Sequence, residues 1–298
     1  MSAEPIAAGG RAESDHYATI RGIVMHYLDY PGPPPTIVLL HGLSANAAEF
    51  GGLIYEGLNE SHRVIAPDLR GRGRSGKPDS GYSMGEHAAD VVALLDYLGL
   101  DKVVMGGHSF GALLSIYLAA HYPERITRVI VIDAAIVFHP DTEKLLKPSL
   151  ARLARVLPSA DAYLLEMKTA AHVNGIWDSA MEGYYRAELH ENADGTAQSL
   201  TSANAVEQAL RGVGVEEWAK LVGSVRHPVL LLNASEAYGP PGSPPLVPPE
   251  HARTTAESFA DCRYVAVPGN HLTMVFGENA SVVRREIEEF LDAELTGD

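Results

Sequence analysis

Cysteine is almost missing from this sequence: Cys262 stands alone, so no disulfide can close within the chain and no Cys-rich zinc site can be built. Positive charge is scarce as well. Lys and Arg number 23 against 38 Asp and Glu, a net charge of −15, and such a field repels phosphate backbones and anionic lipid. Nucleic acid and membrane surfaces are therefore not expected as partners. No apolar run approaches the roughly 18 residues of a membrane span, and residues 1–14, rich in Ala, Gly and Glu, lack the apolar stretch of a secretory signal. A cytoplasmic location is expected. The sequence has no His-Glu-x-x-His, no paired cysteine and no Gly-rich phosphate loop after the first strand, so neither a metal nor an organic cofactor is expected.

With 298 residues, 46% of them hydrophobic and 20% charged, the chain can bury a sizeable core as one α/β domain carrying an insertion. Segments 17–20 and 23–30 read as short strands around Arg21-Gly22, an antiparallel hairpin. After Pro31-Gly-Pro-Pro-Pro35, the apolar run 36–40 suits a central parallel strand covered on both faces. Further strands are expected at 62–66, 102–105 and 128–132, with helices at 84–98 and 111–121 between them. In the first helix Val91, Leu94, Leu95 and Leu98 recur at helical spacing. Such alternation calls for a mostly parallel central sheet flanked by helices. The rhythm stops after Asp133. Residues 138–222 carry only helical patterns, at 142–156, 160–173, 179–191, 202–210 and 216–221, and read as a helical cap inserted after the sixth strand. The core domain is expected to comprise 1–137 and 223–298, the second part adding strands at 228–232 and 263–267 and helices at 250–259 and 280–295.

Gly-x-Ser-x-Gly occurs twice, and context separates the two matches. Ser83, within Gly81-Tyr82-Ser83-Met84-Gly85, has no strand before it and reads as a helix cap. Ser109, within Gly107-His108-Ser109-Phe110-Gly111, follows an apolar strand and opens an apolar helix, the strand-turn-helix of a nucleophile elbow. Glycines are needed there because side chains at 107 and 111 would collide with the packed strand and helix. The turn lifts the Ser109 hydroxyl to the positive end of the helix dipole, beside the amide of Phe110, where a forming anion is stabilised.

Four segments in order, His41-Gly42-Leu43, Asp68-Leu-Arg-Gly-Arg-Gly-Arg-Ser75, 107–111 and Pro268-Gly-Asn-His271, make the chain resemble the α/β-hydrolase fold superfamily nearly end to end. Only the insertion lacks a signature, and at that point of the superfamily it looks like the lid. A serine nucleophile needs a base. Of 13 histidines, His271 is the best placed, in the loop between the last strand and the last helix, at the sheet edge where ligands bind in such topologies. His108 is expected to pack against the sheet and His41 to serve the oxyanion loop, while His172 and His190 lie in the cap. Two acids end sheet strands and could orient His271: Asp133, the favoured one, and Glu236, whose Asn233-Ala-Ser-Glu-Ala-Tyr setting departs from the usual Gly-x-x-Asp. For the oxyanion hole Phe110 N–H supplies one donor, and the resemblance places the other at Leu43.

A serine at the elbow argues against the dehalogenase and epoxide-hydrolase branches, which need a carboxylate there. The expectation is acyl transfer on small or medium carboxylic esters, in a pocket formed by Phe50, Phe138, Tyr163, Trp177, Tyr184, Tyr185 and Leu272. The layout is also similar to enzymes that hydrolyse the C–N bond of (acetamidomethylene)succinate. In that case cap arginines such as Arg152, Arg155, Arg186 or Arg211 should pair with substrate carboxylates. A third reading is a non-enzymatic small-molecule receptor on the same fold. Whether the chain forms a homodimer is left open by the sequence.

Overall fold

In the computed structural model, which describes residues 14–137 and 142–293, strands β1 (Ser14–Ile20) and β2 (Ile23–Tyr30) form the expected antiparallel hairpin. Arg21 and Gly22 turn it with φ of 47° and 84°, the left-handed pair that matches the twist of a two-residue hairpin. The chain continues through β3 (Ile37–Leu40), β4 (Val64–Pro67), β5 (Val103–His108) and β6 (Ile126–Ile132). It passes through the short strands β7 (Val156–Leu157), β8 (Leu189–Glu191) and β9 (Ala197–Ser199), then returns to the main sheet with β10 (Val229–Ala234) and β11 (Cys262–Val267).

The main sheet has eight strands in the order β1-β2-β4-β3-β5-β6-β10-β11. Strand β2 runs antiparallel to β1 and β4, and every other neighbour pair is parallel. Every residue of β3 and β5 is buried, and alternate residues serve opposite faces. Val38 and Leu40 join Met105 and Val131 in one cluster, under the helices Met84–Tyr97 and Phe110–His121. Ile37 and Leu39 join Val104, Ile130 and Ile132 in the other, under the helix Gly277–Asp292. Each such side chain contributes about 1.5–3 kcal/mol by leaving water, and with both faces covered the strands read as unbroken apolar runs.

The segment between β6 and β10 is not purely helical, contrary to the sequence pattern. Beside the helices Thr142–Ala151, Ala160–Lys168, Ser179–Ala187, Ala203–Gly214 and Trp218–Ser224 it holds a three-stranded antiparallel sheet, β7-β9-β8. The helix expected to reach residue 191 ends at Ala187, and β8 begins two residues on. Strands of two or three residues are too short for an alternating pattern to register. The hairpin joining β8 to β9 did have a signal, Asp194-Gly195, with Gly195 at φ 85°. Between β3 and β4 the short helical turns Ala47–Phe50, Gly51–Tyr55 and Leu58–Ser61 also escaped the pattern, because each is too brief for a periodicity of 3.6.

Candidate active site

Strand β5 runs directly into the elbow. Ser109 sits at φ 53°, ψ −115°, and the next residue, Phe110, begins the helix. A side chain at Gly111 would strike the Leu40 carbonyl, and one at Gly107 would strike the backbone of Gly111. The strained serine is therefore held by two backbones in near contact. Ser109 N–H donates to the Ile132 carbonyl at 2.9 Å, which ties the elbow to β6. At the other Gly-x-Ser-x-Gly, Ser83 accepts from Glu86 N–H and caps the helix Met84–Tyr97, as its context implied.

Two loop peptides face the same space. Neither Leu43 N–H nor Phe110 N–H donates to another of the described residues, and both residues line the cavity with Ser109. His41 orients the Gly42–Leu43 peptide: its Nε2 accepts Leu69 N–H at 3.0 Å, so its Nδ1–H donates to the Gly42 carbonyl at 2.8 Å. Burial lowers the His41 pKa, consistent with a neutral ring of fixed tautomer. Arg72, fully buried, donates from Nε to the Leu43 carbonyl at 3.0 Å and lies 5.3 Å from the Phe110 ring centroid. Desolvation pushes its pKa down to about 9, still cationic at neutrality.

Asp133 follows β6 immediately, at φ 48°. Its Oδ1 accepts Ala234 N–H at 2.8 Å and Asn233 Nδ2–H at 2.9 Å, and its Oδ2 lies 2.6 Å from His271 Nδ1. Three donors on one buried carboxylate leave it little freedom to turn. The imidazole is presented by a loop that Asn270 shapes: its Oδ1 accepts Leu272 and Thr273 N–H, and its Nδ2 donates to the His172 carbonyl, in the segment between β6 and β10, at 2.9 Å. Glu236 does not touch His271. It accepts Gly269 N–H at 3.3 Å and Asn174 Nδ2–H at 2.8 Å, so it braces the same loop from outside. Burial and the neighbouring His108 push the His271 pKa below the ordinary value, against the pull of Asp133.

Ser109 and His271 line one cavity of about 150 Å³. Ser109 Oγ makes no hydrogen bond to another of the described residues, and contacts of this type often tighten only when substrate engages. Leu113, Val137, Leu146, Leu150, Leu210 and Val213 supply an apolar side of the cavity. Tyr184, Tyr185 and Leu272 stand on its wall as well. Phe50, however, is wholly buried in the core beneath it, because its helical turn directs the ring inward, towards the core of the sheet. Trp177 also lies off the wall and stacks on Tyr185 at 5.7 Å. Phe138 falls outside the described residues. Tyr163 donates its hydroxyl to Glu188 at 2.8 Å.

Each of the four arginines singled out in the cap already faces a carboxylate. Arg152, on the cavity wall, meets Glu188 at 2.9 Å; Arg155 pairs with Glu166, Arg186 with Glu182 and Asp161, and Arg211 with Glu207. His172 bonds the Tyr185 hydroxyl at 2.9 Å, and burial pushes its pKa down to about 4, so it is neutral. His190 lies exposed on β8. Sequence reasoning missed Glu49 and Glu188, whose partners His108 and Arg152 lie far along the chain, and gave no individual role to Arg72, Asn233 or Asn270, although each stands in a segment it had singled out. Among the described residues no three His, Cys, Asp or Glu gather as a metal site requires, and no helix is long and apolar enough to cross a membrane.

Comparison with known proteins places this geometry in a family. Residues 35–278 match the model of the alpha/beta hydrolase fold. The 2-(acetamidomethylene)succinate hydrolase of Mesorhizobium japonicum is 27% identical over 288 residues, covering 94% of this chain and 97% of the relative. A bifunctional esterase/perhydrolase of Acinetobacter calcoaceticus is 34% identical over 121 residues, 40% of this chain and 44% of the relative. The crystal structure of an E-2-(acetamidomethylene)succinate hydrolase superposes with a TM-score of 0.83 at 24% identity, covering 95% of this chain and all of the other. The chain belongs to the alpha/beta hydrolase fold family, and it is a hydrolase.

Proposed function

We propose that the chain is a serine hydrolase that transfers an acyl group from a small or medium carboxylic ester to water. Ser109 Oγ attacks the carbonyl carbon as His271 Nε2 takes its proton, and Asp133 holds the imidazole by Nδ1 and stabilises the imidazolium that forms. The oxyanion is received by Leu43 and Phe110 N–H, each such donor being worth about 3–4 kcal/mol in the transition state. His271 then protonates the leaving oxygen. Water, deprotonated by the same imidazole, releases the acid. The observation that carries this reading is the 2.6 Å bond between His271 and Asp133 on the wall of the cavity that Ser109 enters from its left-handed turn.

The cavity's charges support a neutral substrate. Arg152 is matched by Glu188, the rings of His108 and His271 already face Glu49 and Asp133, and His172 is uncharged, so none of these groups is a cation left over for an anionic substrate. A buried guanidinium already bonded to a carboxylate gains little from a second one. The second reading, hydrolysis of an amide or enamide C–N bond, is favoured by the nearly full-length similarity to 2-(acetamidomethylene)succinate hydrolase. A dicarboxylate bound here would have to draw Arg152 away from Glu188.

The test is a panel of p-nitrophenyl acetate, p-nitrophenyl butyrate and (acetamidomethylene)succinate, with Ser109→Ala as control. Ester turnover with an acylation burst, lowered at least about 10³-fold in Ser109→Ala, is the expected result. Turnover confined to the enamide moves the assignment to C–N hydrolysis. No turnover at all, with a melting temperature raised by a small ligand, would leave a receptor.

A further inference from the structure

We propose that Glu49 and His108 form a second, non-reacting acid–histidine couple that sets the proton affinity of His271 and fastens the oxyanion loop to the nucleophile strand. The proposal rests on the serine-hydrolase reading, in which His271 is the base. Glu49 lies in the turn Ala47–Phe50 and is 1% exposed. One of its oxygens is 3.0 Å from His108 Nδ1, and the other accepts Gly42 N–H at 2.8 Å. His108 is the last residue of β5, adjacent to Ser109, and its ring centroid is 4.4 Å from that of His271. A single carboxylate thus bridges the loop that carries Leu43 and the strand that carries Ser109.

Two buried imidazoles in contact cannot both hold a proton without strong repulsion, so the surroundings decide which one does. His271 is faced by Asp133 at the end of β6, by His108 from β5, by Glu49 beyond it, and by the edge of Tyr238 at 5.5 Å from the loop after β10. The cap's His172 is neutral. Burial penalises the charged form of His108, yet the Glu49 carboxylate, by charge and by hydrogen bond, holds its pKa above the ordinary value. Burial likewise works against the Glu49 carboxylate, and His108 overcomes it, so Glu49 stays ionised. Of the two rings, His108 is therefore the one whose charged form its surroundings favour, and His271 the one whose charged form they oppose. His271 is left neutral, able to accept the serine proton and, once protonated beside a second imidazolium, a stronger acid towards the leaving group.

The native protein supplies the first test. Imidazole ¹⁵N and ¹H resonances, assigned by their loss in His108→Asn and His271→Asn, should show His108 doubly protonated and His271 neutral at about pH 7. The opposite assignment overturns the proposal. In His108→Asn, and in the Glu49→Gln/His108→Asn double variant, which keeps a neutral hydrogen-bonding pair, the His271 titration should move to higher pH. The ratio of kcat/KM at about pH 5.5 to that at pH 8 should fall roughly threefold. A folded variant whose His271 titration coincides with the native one sinks the proposal, whatever its activity. Absence of Ser109-dependent turnover in the native chain, with the resonance shift intact, would instead sink the serine-hydrolase reading and leave the couple's electrostatic effect standing.

Discussion

His271 Nδ1 lies 2.6 Å from Asp133 Oδ2, a bond between residues 138 positions apart that joins the last loop of the sheet to the end of β6. Asp133 also receives Ala234 N–H and Asn233, so the carboxylate is aimed before the imidazole meets it. Asp133→Asn should keep this geometry while favouring the wrong imidazole tautomer, lowering kcat by about 10⁴-fold. Glu236→Gln, which alters only the bracing of the loop, should change kcat by less than about tenfold. Steady-state ester kinetics on both variants check the ranking, and the reverse order would transfer the orienting role to Glu236.

The pH dependence follows from His271. Its pKa is depressed from 6.5 by burial and by the adjacent His108. Protonated His271 cannot take the serine proton, so activity is lost on the acid side. The plot of kcat/KM should rise with pH through a midpoint below 6.5 and be flat from there to about pH 8. A midpoint above 6.5 would contradict the assignment of His271 as a base under a neighbouring positive charge.

Backbone proximity at the elbow predicts a steep sensitivity. Gly111→Ala places a methyl group against the Leu40 carbonyl, inside the sheet–helix contact. The expected loss is at least about 2 kcal/mol, as for other overpacked sites. Gly223→Ala, in the helix Trp218–Ser224 with open space where the methyl would go, should be neutral or stabilise by about 0.5–1 kcal/mol. Urea denaturation of the two variants makes the comparison.

The segment between β6 and β10 holds a buried ion pair. Arg152 and Glu188 are 10% and 2% exposed, and Tyr163 donates to the same carboxylate. Glu188→Gln removes the charge facing the guanidinium and should cost about 3 kcal/mol of stability. It should also improve KM for an anionic ester relative to a neutral one, since the cation is released from its partner. Unchanged selectivity would show that Arg152 does not reach the substrate.

Much of the architecture was legible because it is written in short-range patterns. The unbroken apolar runs at β3 and β6 announced buried parallel strands, and Arg21-Gly22 announced the hairpin. The elbow was visible in a glycine pattern flanked by a strand and a helix. The small sheet was not, since β7, β8 and β9 are only two or three residues long, and β7 becomes a strand only by pairing with β9 some 40 positions away. Phe50 and Trp177 were equally ambiguous: an aromatic ring reads the same whether it faces a cavity or a core.

By itself the sequence determined the order of the main-sheet strands and of the longer helices that flank them, the position of the strained serine and the loops in which a histidine and an acid could stand. All of these depend on neighbours a few residues apart, where backbone sterics and hydrophobic period act directly. Tertiary structure alone decided that Asp133 rather than Glu236 meets His271, that Glu49 stands behind His108, and that Arg152 arrives at the cavity already paired. Those outcomes turn on ångström-scale distances between segments far apart in the chain, which no local pattern encodes.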